Sequence, residues 1–102
     1  MLHFIAESVL TWRRRWQAAG SERRRRKRAV DAAIMAFETT TGQVAVRSMS
    51  RVIDADEQRC IVLVCWGQYT PPCREFYAVH ADGRVEPLTI EQARPYCPGP
   101  WR

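Results

Sequence analysis

Apolar side chains return along the first third of the chain at steps of three and four. Leu2, Ile5, Val9, Trp12, Trp16 and Ala19 fall on one face of a helix over residues 3–19. Ala29, Val30, Ala33, Ile34 and Phe37 make the stripe of a helical segment over residues 22–39. Gly20-Ser21 offers a break, with Ser21 able to cap a fresh start. A fresh start would set Arg23 and Arg24 in a first turn, where positive charge opposes the helix dipole at roughly 0.3–1 kcal/mol per exposed charge. The phase argues against it. Leu2, Val9, Trp16, Val30 and Phe37 are separated by multiples of seven, and one glycine inside a helix costs only about 1 kcal/mol. The pattern favours one long helix, bent or straight, whose leading half projects beyond the domain. Thr39-Thr40-Thr41-Gly42 stops it, because Gly42 can take the left-handed closing conformation.

Beyond Gly42 the period changes to two. Gln43–Ile53 alternates Val44, Val46, Ser48, Ser50, Val52 against Ala45, Arg47, Met49, Arg51, Ile53 and reads as one strand, with a turn at Asp54–Glu57. Arg59–Gln68 is apolar on both faces, the mark of a central strand. Tyr69–Pro72 is a loop because two prolines cannot continue a ladder. Arg74–His80 is the third strand, Asp82-Gly83 a hairpin turn and Arg84–Leu88 a short last strand. Thr89 reads as the N-cap of a short helix over Ile90–Arg94, and Pro95, Pro98 and Pro100 make the tail irregular.

These elements predict an α+β protein: a long N-terminal helix, in one segment or two, packed on a curved four-stranded antiparallel meander, with a short C-terminal helix. The order of elements resembles that of the cystatin-like folds. The likeness carries no motif, so it implies no function. A chain of 102 residues leaves room for one domain. The expected division is a basic amphipathic helical extension over residues 1–21 and a single α+β domain over residues 22–102.

Charge sharpens that division. The net charge of +5 is a difference between halves: residues 1–51 hold eleven Lys/Arg against four Asp/Glu, and residues 52–102 hold five against seven. The apolar runs Cys60–Trp66 and Met1–Leu10 are too short to span a bilayer. The N-terminus makes a poor secretory signal, because its positive charges follow the apolar segment. A cytoplasmic protein with reduced thiols is the expectation.

Three groups of residues carry candidate chemistry. The stripe Leu2, Ile5, Val9, Trp12, Trp16 is a candidate oligomer interface. It would pair with a second copy or a protein partner, against the alternatives of packing on its own domain or lying in a membrane surface, the latter disfavoured. The basic residues Arg13, Arg14, Arg15, Arg23, Arg24, Arg26 and Lys27 are candidate contacts for an anion or nucleic acid, against the plainer reading of a solvated charged face. Asp54, Tyr69, Tyr77 and His80 are candidates to line a pocket between helix and sheet. Cys60, Cys65, Cys73 and Cys97 match no zinc spacing, and Cys60 and Cys65 point to opposite faces of one strand, so no metal or cofactor is expected. The leading expectation is a small non-enzymatic interaction module. A nucleic-acid-binding accessory protein comes second, and a small-ligand pocket or enzyme third.

Overall fold

The computed structural model describes the backbone of residues 2–97 and the side chains of residues 18–97. A single helix, α1, runs from Leu2 to Thr41. It passes through Gly20 without a break, as the heptad phase favours. A Cβ at Gly20 would meet only Arg24 Nη1 at 3.5 Å, so neither sterics nor a turn asks for glycine there. Continuity also moves the arginine run from a first turn to mid-helix, where the dipole no longer opposes it. At 1.5 Å per residue α1 is about 60 Å long, and the molecule measures 59 × 29 × 24 Å.

The stop falls where the threonine–glycine sequence predicts. Gly42 adopts φ 71°, and its N–H donates to the Glu38 carbonyl at 3.0 Å. The Thr41 hydroxyl donates to the Phe37 carbonyl and accepts from the Gln43 N–H, so the last turn meets its own orphaned groups.

Four strands follow, β1 (Arg51–Ala55), β2 (Arg59–Trp66), β3 (Cys73–His80) and β4 (Val85–Leu88), in the spatial order β1-β2-β3-β4, every pair antiparallel. The meander is as predicted, with one correction. Residues 43–53 are not one strand. Ala45 makes a single bridge to Trp66, a 3-10 turn occupies Arg47–Met49, and β1 begins only at Arg51 and runs on through Asp54 and Ala55. The physical reason is Ser50. Its buried hydroxyl donates to the Val46 carbonyl at 2.9 Å and accepts from the Cys65 N–H at 3.1 Å, while Val46 N–H donates to the Cys65 carbonyl. A side chain thus stands in for backbone in the ladder and lets the chain loop out between.

The sheet is buried on both faces. On one, Cys60, Val62, Val64 and Tyr77 pack against Ala29, Ala33, Ile34 and Phe37 of α1, with Trp66 tilted over Phe37 at 5.7 Å between ring centroids. On the other, Leu63, Cys65 and Phe76 pack against Ala93 and Cys97. The second cover comes from the segment after β4: helix α2 (Ile90–Ala93) and a 3-10 turn over Arg94–Tyr96. Thr89 is its N-cap, in a reciprocal pair of bonds with Gln92. As far as Cys97 this segment is ordered, with Pro95 inside the 3-10 turn; Pro98 and Pro100 lie outside the described residues.

Candidate functional site

The three candidate groups meet different fates. In the basic group, the side chains of Arg13, Arg14 and Arg15 lie outside the described residues. Arg23, Arg24, Arg26 and Lys27 are exposed on α1. Glu22 sits among them and pairs with Arg26 at 3.1 Å and Arg25 at 3.5 Å. The hydrogen bond from Arg26, aided by the charges of both arginines, draws the Glu22 carboxyl below its ordinary range. Arg24 donates to the Ser21 hydroxyl at 3.3 Å. The run is therefore a mostly solvated basic band on a rigid rod, with one internal acid.

Leu2, Ile5, Val9, Trp12 and Trp16 have side chains outside the described residues, but their backbone belongs to α1. Helical periodicity relates their backbone positions to those of the later turns. Trp12 and Val30, and likewise Trp16 and Ile34, are eighteen residues apart, about five turns at 3.6 residues per turn. The backbone positions of Trp12 and Trp16 therefore repeat those of Val30 and Ile34 about the helix axis. The part of α1 packed on the sheet runs from Arg25, whose guanidinium donates to the Asp56 carbonyl, through Ala29 and Ala33 to Phe37. Ala18 and Ala19 are already exposed.

The four pocket candidates do not meet. Tyr77 is buried in the core under α1, where loss of water pushes its phenol up. His80, three residues along the same strand, has the opposite parity and pairs with Glu86 at 3.1 Å, at the strand end that borders a groove beside α1. Asp54 is exposed on the edge strand β1, and Tyr69 is 72% exposed in the loop at the far end of β2. Pairing parity and strand length separate them, and neither can be read from composition.

Cys60, Cys65 and Cys73 stand as free thiols. Cys60 and Cys65 lie on opposite faces of β2, in separate clusters, and burial pushes both thiols up. Among the described residues no group of three His, Cys, Asp or Glu could hold a metal, and no helix is long and apolar enough to cross a membrane.

Two features escaped the sequence reading. Arg59 of β2 reaches across the covered face to donate to the Tyr96 hydroxyl and lies 5.5 Å from that ring's centroid, clasping the C-terminal turn to the sheet. Arg25 and Arg28 flank a groove of about 460 Å³ between α1 and the β2–β3 end of the sheet. The spacing of Arg25, Arg28, Ala29 and Ala32 at three, four and seven was the available signal.

The fold and these surfaces define an α+β protein with a basic helical arm, and the comparisons extend this no further. No family model, curated protein or solved structure matches the chain. The cystatin-like likeness stays one of element order.

Proposed function

We propose that the protein is a small interaction module that pairs with a second copy through the leading half of α1. The observation that carries this reading is the mismatch between helix and sheet. The helix is 40 residues long, yet the core takes only Ala29 to Phe37 from it. The apolar stripe Leu2, Ile5, Val9, Trp12, Trp16 lies on turns beyond that core. Two tryptophans in water on such a rod are costly, and an isologous contact covers them with the same stripe from a neighbour. The basic band then faces acidic surface, either a protein partner's or the neighbour's second half, where acids exceed bases.

The test is the mass in solution. The full chain should scatter light as a particle of twice 11.8 kDa, and the double substitution Trp12→Glu with Trp16→Glu should scatter as a monomer with unchanged far-ultraviolet dichroism. A full chain that stays monomeric at every concentration refutes the reading.

A second reading, nucleic-acid binding, is supported by the exposure of Arg23, Arg24, Lys27 and Arg28 on one rod. It predicts retention of a labelled duplex at low salt that collapses as salt rises. Absence of any shift at low salt removes it.

A further inference from the structure

The groove between α1 and the end of the β2–β3 hairpin has a charge and shape that neither reading above uses. Its volume of about 460 Å³ lies in the range of small-molecule sites. Its walls are mostly apolar, Ala29 and Ala32 from the helix, Cys60 and Val79 from the sheet, with His80 beside them at the end of β3. Arg25 and Arg28 stand on the helical side, and no carboxylate lines it. Glu22 and the Asp56 carbonyl hold Arg25 in place and take part of its charge. The nearby Asp56 carboxylate is occupied with the Gln58 and Arg59 amides of its own turn. Arg28 is exposed, with no acidic partner among the described residues, and it stands in the positive field of the whole run from Arg23. The groove thus offers a fixed cation, a free cation and a small apolar floor.

We infer that this groove binds a small amphiphilic anion, a phosphate or carboxylate carrying a short alkyl or acyl chain. The guanidinium of Arg28 takes the anionic head in charge-assisted hydrogen bonds, with Arg25 beside it, and the chain lies on Ala29, Ala32 and Val79. Guanidinium groups match the oxygens of either head group, and the apolar floor gives the chain a place that a bare ion cannot use.

Amide chemical shifts on the full-length protein read this directly. Hexyl phosphate should shift the amides of Ala29, Ala32 and Gly83 saturably, while inorganic phosphate and hexanol, each carrying half of the ligand, should bind far more weakly. Arg28→Gln should weaken hexyl phosphate on the order of tenfold, the value of one charged hydrogen bond. Arg23→Gln, the same change of charge elsewhere on the helix, should weaken it less than about twofold at physiological salt. The same head group on a lipid is distinguished by cosedimentation with phosphatidylglycerol vesicles: binding lost in Arg28→Gln assigns a membrane source, and no binding to vesicles alongside the hexyl phosphate shifts assigns a soluble one. The inference is overturned if hexyl phosphate leaves those amides unmoved, if hexanol binds as well, or if the two arginine variants behave alike.

Discussion

Replacing Ser50 by alanine tests whether one hydroxyl holds the irregular strand edge together. The side chain makes two hydrogen bonds, to the Val46 carbonyl at 2.9 Å and from the Cys65 N–H at 3.1 Å. Their loss is unequal. The Val46 carbonyl still accepts from the Met49 N–H at 3.1 Å, so it keeps a partner. The Cys65 N–H loses its acceptor in a residue only 3% exposed. One orphaned buried donor costs about 1–3 kcal/mol. With roughly 4–8 °C per kcal/mol for a domain near this size, the melting temperature should fall on the order of 10 °C. Urea unfolding should give a lower midpoint at an unchanged slope, because the exposed area on unfolding is the same. Ser48→Ala is the control. Ser48 is exposed in the same turn, and its loss should stay within about 0.5 kcal/mol. Hydrogen exchange adds a local readout: the Cys65 amide should lose protection while that of Val62 keeps it. The reasoning is refuted if Ser50→Ala matches Ser48→Ala in stability, or if the Cys65 amide stays as protected as before.

Two other perturbations probe the turns that frame the sheet. The carboxylate of Asp56 accepts from the Arg59 and Gln58 amides, bonds that hold its carboxyl below the ordinary value of 3.8. A depressed folded value means stability that is present above about pH 4 and is lost as pH falls through the folded value. Acid unfolding of Asp56→Asn should therefore be shallower than that of the parent below pH 4, by circular dichroism, and identical profiles would contradict this. Gly42→Ala should destabilise by about 1 kcal/mol in thermal unfolding, because φ is 71° and an added Cβ meets nothing within 4 Å. A neutral or stabilising result would show that the left-handed closure of α1 is not needed.

Much of this architecture was legible along the chain because local rules and the tertiary fold agree. The step-of-seven phase carried α1 through Gly20, Gly42 ended it, the two-faced apolar run made β2 central, and Thr89 capped α2. The strand over residues 43–53 misled because its alternation is real while its hydrogen bonding is not. Ser50 has the parity of a strand residue but spends its hydroxyl on Val46 and Cys65, which no pattern of apolar positions reports. The pocket candidates dispersed for a related reason. Asp54, Tyr69, Tyr77 and His80 share chemistry, but Tyr77 and His80 differ in parity along β3, and the length of β2 set Tyr69 at the other end.

By itself the sequence determined the elements, their order, the antiparallel meander and the uneven charge, since these follow from spacing, turn residues and composition over a few neighbours. Only the tertiary structure decided that Ala93 and Cys97 return to cover the second face of the sheet, that Arg59 holds Tyr96, and that Arg25 and Arg28 frame a groove against Val79 and Cys60. Those contacts join residues that lie tens of positions apart. Their partners are chosen by which surfaces the packed core leaves open, and that choice is made in three dimensions.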